Sequence, residues 1–329
     1  MGMLDHQFML GEEVTYGTPV TPSRTFEYNS EGIEESYGRT EGDPLRTGTQ
    51  VARSDRFTPY LEGASGSVEF DVMTKGFGVL FKHMLGGIAT SGPNADGAYT
   101  HSATMADLWG KSLTVQVARP FNPSGTVQAF TFEGGKITEW TLSNSVENNL
   151  VLEAGFDFEQ VKTDTALAAA AYPSEMENFT WAGGSVTVGG SDVGFCLNEI
   201  SIEGNNALNT DRRCISNGTD KKEPNVNGRR EITFSLSGDF ASLAHRTRAA
   251  SLTAAGALAE IKATWTGPTL IAGASYPKIE VTIPAGRFDT WTAAAGGAEG
   301  ITQELSGVGR YNGTLSPITI AYTTTDTTP

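Results

Sequence analysis

This sequence predicts a mainly β chain made of two tandem copies of one unit, each with a short helix, and three observations carry the prediction. Lys136-Ile137-Thr138-Glu139-Trp140-Thr141 returns as Arg287-Phe288-Asp289-Thr290-Trp291-Thr292, each copy directly after a glycine, Gly135 or Gly286. Upstream of each copy stands an alternating apolar triplet, Val68, Phe70 and Val72 in one half and Ile232, Phe234 and Leu236 in the other. The same order of signals at a long period marks internal duplication. Gly at 39 positions, with abundant Thr and Ser, suits many short strands joined by tight turns. Trp140, Trp291, Phe70 and Phe234 are the expected core anchors of the repeat.

The elements follow in order. Residues 1–24 read as an N-terminal arm. Thr18-Pro19-Val20-Thr21-Pro22 fixes φ and withholds donors, so the arm is expected to be extended and outside the centre of a sheet. The first β domain is expected over 25–162. It opens on the alternation of Thr25 to Tyr28, then a charged, turn-rich segment from Gly38 to Gly66, long enough to suggest a function. A strand over 67–74 and a helix from Phe77 to Leu85, stopped by Gly86-Gly87, come next. After a Gly- and Ala-rich loop, strands are expected at 112–118, 127–133, 136–142 and 146–159. In the last, Leu150, Leu152, Phe156 and Phe158 alternate with polar and acidic residues. Residues 163–180 read as a linker, with a short helical turn over Ala166–Ala171.

The second β domain, 181–329, repeats the order. A hairpin around Gly189-Gly190 leads to a strand at 195–203, a charged loop at 204–230 and a strand at 231–237. A helix at 240–250 precedes strands at 258–265, 278–283, 287–293, 300–309 and 317–324. The interval between triplet and Trp-Thr motif is shorter in this copy, which places the trimmed residues in the loop after the helix.

Composition excludes several classes. With 329 residues there is room for two domains with cores of their own. Hydrophobic residues at 38% and charged residues at 19% are too apolar for disorder. No apolar run approaches the ~20 residues of a membrane span. The start, Met1-Gly2-Met3-Leu4-Asp5, lacks basic and apolar signal-peptide regions, and Gln7 stands where a myristoylation signal needs Ser or Thr. A protein made in a cytoplasm is therefore expected. The formal net charge of −15 argues against a grip on nucleic-acid backbones but permits a surface along which DNA slides. Cys196 and Cys214 make neither a disulfide framework nor a zinc site. Cys196, in an alternating run, reads as a small buried hydrophobe, and Cys214 as a free thiol beside Arg212-Arg213.

Chemistry finds little to stand on. His6, His83, His101 and His245 have no partners at metal-ligand spacing, and no nucleophile elbow, phosphate loop or zincin motif occurs. Glu69 and Asp71 alternate with the first triplet and read as an exposed strand face. Asn205-Asn206, Asn209 and Asp211 near Glu203 lack calcium-loop spacing and read as turn residues. No catalytic residue, cofactor or metal ion is expected.

Several stretches resemble the major tail tube proteins of long, non-contractile-tailed bacteriophages. They are Gly11-Glu12-Glu13-Val14-Thr15-Tyr16-Gly17-Thr18-Pro19, Arg53-Ser54-Asp55-Arg56, and Lys75-Gly76-Phe77-Gly78 leading into His83-Met84-Leu85-Gly86. The second half adds Trp181-Ala182-Gly183-Gly184, Asn205-Asn206-Ala207-Leu208 and Gly228-Arg229-Arg230-Glu231-Ile232-Thr233. The resemblance covers most of the chain through loose, structural motifs. It implies two tail-tube-like β-sandwich domains whose inner sheets close into an intersubunit β-barrel, in rings stacked as a virion tail tube that delivers DNA. It also implies a tape measure protein in the lumen, tail terminator and distal tail proteins at the ends, no membrane, and assembly in the bacterial host cytoplasm.

On that footing Glu147, Glu153 and Asp157, with Glu304 in the second copy, are expected to face the channel, although Val308 replaces the counterpart of Asp157. Arg46, Arg53, Asp55 and Arg56 are expected to contact the next ring, each exposed pair worth ~0.2–1 kcal/mol. Single units of the family form sixfold walls, so three double-length chains are expected per pseudo-sixfold ring. Six chains would fit only if one half left the wall, a role that the Gly-rich stretch Gly296, Gly297, Gly300, Gly307 and Gly309 leaves open for the second copy. The alternative function is a β-rich capsid-decoration or adhesion and carbohydrate-binding virion protein. It would need aromatic or ligand-binding loops, and Trp109, Trp181 and Trp265 are too scattered to make a platform.

Overall fold

The computed structural model describes residues 5–42, 44–48, 50–121, 126–215, 218–295 and 300–329; Gly2, Asp43, Gly296 and Gly297 lie outside them. In the first half β1 (Gln7–Glu13), β2 (Arg24–Phe26), β3 (Ser30–Glu31), β4 (Glu34–Glu41) and β5 (Phe57–Asp71) precede the helix α1 (Gly78–Leu85). Then come β6 (Gly86–Ser91), β7 (Tyr99–Met105), β8 (Ser112–Pro120), β9 (Val127–Ser145), β10 (Val151–Phe158) and β11 (Gln160–Lys162). The second half runs β12 (Gly184–Val188), β13 (Ser191–Asp192), β14 (Leu197–Asn205), β15 (Glu231–Asp239), α2 (Ala244–Ala249) and α3 (Ala254–Ala257). It ends with β16 (Leu258–Thr266), β17 (Lys278–Thr292), β18 (Thr302–Gly309) and β19 (Thr319–Thr324).

Two long bent strands organise these elements. The leading part of β9 pairs with β8 and β11, whereas its trailing part, from Lys136 on, pairs with β10 and β14. β17 does the same, pairing first with β16 and β19 and then with β18. Each bent strand therefore belongs to two sheets that face one another across a core, making a sandwich. Phe8 of β1 meets Phe70 of β5 with ring centroids 5.3 Å apart, and Phe234 of β15 meets Phe288 of β17 at 5.2 Å. Edge-to-face rings at such distances add to the burial of their area. The bends coincide with matching register shifts: β10 skips Thr138 of β9, and β18 skips Asp289 of β17. A second shift lies at Leu113/Val115 of β8 and recurs at Ala259/Ile261 of β16. Bulges of this kind bend a strand and let it pass between sheets.

The trailing part of β9 joins the two halves. β14 pairs with it from Glu199↔Ser145 to Asn205↔Glu139, so one sheet runs β4–β5–β10–β9–β14–β15–β18–β17 through the whole chain. In the single chain this sheet is open. Gly204 makes the joint close: a Cβ at that position would lie 2.3 Å from the Trp140 ring. The halves are tied again at the back, where the β6–β7 hairpin extends the second half's sheet by pairing β7 with β19. Tyr322 of β19 donates its hydroxyl to the Met73 carbonyl at 2.9 Å, and Trp265 Nε1 donates to Asn144 Oδ1 at 3.0 Å. One cluster of buried apolar side chains runs through both halves.

Several expectations are corrected. The arm holds β1, whose Phe8 and Leu10 are fully buried and which pairs on both edges, because the prolines fall after the strand. The segment 38–66 is mostly hairpin, β4 against β5, and among its described residues only 42, 44–48 and 50–56 lie outside the two strands. The strands expected at 127–133 and 136–142 are one, β9, which runs through Gly134, at φ 68, and Gly135. β10 starts at Val151, and 146–150 are a turn. The Gly- and Ala-rich loop after the first helix is the β6–β7 hairpin. Ala166–Ala171 form no helix; they lie extended against β8, where Gln116 accepts from Ala168 N and donates to Ala166 O. Cys196 is exposed, as is Cys214.

Trp140 and Trp291 differ in surroundings. Trp140 is 2% exposed under β14, whereas Trp291 is only partly buried, leaning toward Gln303 and Phe240. Trp140→Ala should therefore cost ~3–5 kcal/mol by urea unfolding. Trp291→Ala in the unassembled chain should cost clearly less.

Candidate functional site

The face of the long sheet turned away from the core is the candidate. Strand alternation sends Val68, Phe70, Leu152, Ala154, Leu142, Ile202, Phe234 and Leu305 inward and their neighbours outward. Cross-strand register then fixes the outward rows. One row joins Glu69 of β5, Glu153 of β10, Thr141 of β9, Glu203 of β14 and Thr233 of β15. The next joins Gly155, Glu139, Asn205 and Glu231. A third runs from Ser145 through Glu199 and Ser237 to Glu304 and Thr292. The surface is mostly carboxylates set among hydroxyls, with Asn205, Val151 and Val308 between them. A shallow depression of about 260 Å³ over Trp140, lined by Glu139, Glu153, Glu203 and Glu231, is its centre.

At one end the face is covered by residues 206–215 and 218–230, which follow β14 and lie over the first half. Lys221 Nζ donates to Asp157 Oδ1 at 2.7 Å in a buried pair, and the buried Lys136 Nζ to the partly buried Glu223 Oε1 at 2.6 Å. Glu223 Oε1 also accepts from Gly110 N. Arg230 donates to the Met84, Leu85 and Ala106 carbonyls, satisfying the C-terminal end of α1. Burial lowers the Lys136 pKa despite Glu223 and raises that of Asp157 to about 6 despite Lys221. Next to them Glu159 is raised to about 7, by burial first and then by Asp220.

The sequence-derived residues fall into three groups. Glu153 and Glu304 stand exposed on the open face. Glu147 is exposed in the β9–β10 turn, at φ 67. Asp157 has the expected strand phase yet is 4% exposed, because Lys221 covers it; a lysine from a distant loop carried no periodic signal. Arg46, Arg53, Asp55 and Arg56 all sit at the tip of the β4–β5 hairpin. Arg53 Nε is 2.8 Å from Asp55 Oδ1, which raises the arginine pKa and lowers that of the aspartate. Exposed Leu45, Val51 and Phe57 accompany them. Phe70, Phe234 and Trp140 are buried. Asn206, weighed as a calcium-type ligand, instead donates to the Met84 and Ile137 carbonyls and accepts from Arg230. Missed by sequence reasoning were Lys136, Lys221, Glu223 and Arg230, whose partners lie far away in the chain.

Among the described residues no group of His, Cys, Asp and Glu is arranged to hold a metal ion. No helix there is long and apolar enough to cross a membrane. A family model described as phage tail tube protein matches residues 4–309. No curated protein matches the chain.

Two outcomes follow from the covered end. Lys221→Met leaves the Asp157 carboxylate buried without a partner and should cost ~3–5 kcal/mol at pH 8. The cost should shrink at pH 5, where Asp157 takes up a proton; urea unfolding at both pH values checks this. Glu159 and Asp157, with folded pKa values above their ordinary ones, hold protons that the unfolded chain releases. Their contribution to stability should therefore fall as pH rises through about 4 to 7 and level off beyond, against the opposite contribution of His83 and His101, whose pKa values burial lowers. Glu159→Gln should lose part of that fall in thermal midpoints measured across the window.

Proposed function

The chain belongs to the phage tail tube protein family, and from that premise we propose that its long acidic sheet is a segment of the wall of a hollow tail tube through which DNA passes. The observation that carries this reading is the continuous sheet itself: one face is packed on the core in both halves, and the other is mostly carboxylate and hydroxyl from Glu69 to Glu304, with Val151 and Val308 its apolar positions. Duplex DNA presents a dense row of phosphates. A wall of like charge repels them, and short hydroxyl side chains offer no cationic sticking points. Basic side chains of the wall strands lie at its margin: Lys136 is buried under Glu223, Arg287 is paired with Asp289, and Arg39 is exposed on β4 toward the hairpin tip. Glu147, Glu153 and Glu304 are lumen-facing in this reading. Asp157 is withdrawn from it, being covered by Lys221.

The stoichiometry follows from repetition. The matching strand order and the paired register shifts at Thr138 and Asp289, and at Thr114 and Glu260, support reading the halves as two copies of one unit. Both copies contribute strands to the same sheet, which favours three chains, and six units, around the channel. Closing the sheet between copies removes its two open edges. The tip residues Arg46, Arg53, Asp55 and Arg56, beside the exposed apolar Leu45 and Val51, meet the next ring in this reading. A tape measure protein inside the growing tube, terminator and distal proteins at its ends, and assembly in the host cytoplasm complete the proposal.

Electron microscopy of the purified protein tests it. Rings or hollow filaments with three chains per ring are expected, assembling in a salt-dependent way because each chain brings a formal charge of −15. A chain that never assembles, or a ring of six with one half outside the wall, would reject it. Glu153→Lys with Glu304→Lys should leave tubes intact but slow DNA ejection from phage carrying them.

A further inference from the structure

The chain contains a finished strand seam and the two edges of an unfinished one. In the finished seam β14 lies along β9, with Gly204 opposite Trp140 and Glu203 opposite Thr141. On its far side β14 pairs with β15, Glu203 opposite Thr233 and Gly204 opposite Ile232. β3 stands in the same relation to β5, with Ser30 opposite Glu69 and Glu31 opposite Val68. Val68 and Ile232 are the first members of the repeated apolar triplet. Position for position, Ser30 therefore matches Glu203, and Glu31 matches Gly204.

On the other strand Trp291 and Thr292 match Trp140 and Thr141. Beyond Arg287, β17 pairs only with β18 among the described residues, and β3 pairs only with β5. The burial of the two tryptophans records the difference. Trp140 is 2% exposed beneath its partner strand, and Trp291 is partly exposed at an edge that has none. A strand edge left unpaired invites another strand.

We propose that the finished seam is the template for the contact between copies: the free edge of β17 pairs antiparallel with β3 of a second copy, Trp291 opposite Glu31 and Thr292 opposite Ser30. The inference rests on the tail-tube reading for its second copy, but the register comes from the internal seam alone. One residue type departs from the template. The Trp140 ring lies over Gly204, where a Cβ would approach to 2.3 Å, while Glu31 has a side chain. Both partners at the new seam are already turned aside. Trp291 Nε1 donates to Gln303 Oε1 at 3.1 Å with its ring against Phe240, and the Glu31 carboxylate is held by Arg119. Ser30 and Thr292 are both exposed and fall on the open polar face, in the rows of Glu69 and Glu304.

Cysteine cross-linking on assembled protein tests the register. The exposed Cys196 and Cys214 are first changed to serine. In that background Ser30→Cys with Thr292→Cys places two Cβ atoms directly opposite, within reach of a disulfide. Oxidation should give a covalent ladder on denaturing gels ending at a closed ring, severalfold more abundant than for Ser30→Cys with Ala294→Cys. Tubes that form without the 30–292 link, or that link equally well at 294, overturn the seam and leave the tail-tube reading standing. Absence of rings and tubes from the unmodified chain overturns both. A second measurement avoids new cysteines: comparing the unmodified chain with Trp291→Phe, the Trp291 emission should lose most of its acrylamide quenching on assembly. Unchanged quenching would overturn the seam.

Discussion

The pairing of β9 with β14 is the contact on which the rest of the architecture depends. Without it the two sandwiches would be joined strand to strand only at the back, through β7 and β19, and the facing edges of β9 and β14 would be left unpaired. With it, the backbone donors and acceptors of both edges are satisfied and the two halves share one pleated surface. The closeness of the seam is set by a single residue, since Gly204 leaves the Trp140 ring room to lie flat across the joint. Asn206, two residues on, turns the chain out of the sheet by bonding to the Met84 and Ile137 carbonyls. Geometry at the joint is thereby fixed from both sides.

Charge is distributed around that joint unevenly. The chain has 23 basic and 38 acidic residues, yet the excess is not spread as a uniform negative skin. Lys136, Lys221 and Arg230 are drawn into the covered end, where they hold the 206–230 segment in place and satisfy helix carbonyls. Their use there leaves the outward rows of the sheet with one sign of charge. A concave wall made from such faces would concentrate the field inside it, because low-dielectric protein lies behind the carboxylates. The cations that secure the fold are thus also the ones kept away from the polar face.

Much of this was legible in the sequence, for a physical reason. Strand phase follows from a period of two, so the inward Val68, Phe70, Ile232 and Phe234 and the outward Glu153 and Glu304 could be read directly, as could α1 and its glycine stop at φ 98. What periodicity does not encode is which strand lies beside which. The passage of β9 through Gly134 and Gly135 looks in sequence like the end of one strand and the start of another. Only the bulge at Thr138 tells that it is one bent ribbon. The β6–β7 hairpin looks like a loop in sequence because its glycines and alanines are uninformative, and its partner β19 lies more than two hundred residues downstream. Asp157 failed for the same cause: its phase was right, but Lys221 arrives from a segment with no regular structure.

That distant pairing of β7 with β19 bears on how the molecule comes into being. A ribosome releases the first half, with α1 already able to coil, long before residues 319–324 exist. Until they do, the hydrogen-bonding edge of β7 and the carbonyls of Met73 and Thr74 have no partner, for Tyr322 and Thr324 supply it. Contacts of such long sequence separation form late and slowly. The first half therefore waits, incomplete, for the end of the second, and a chain becomes competent to build with others only after synthesis has reached β19.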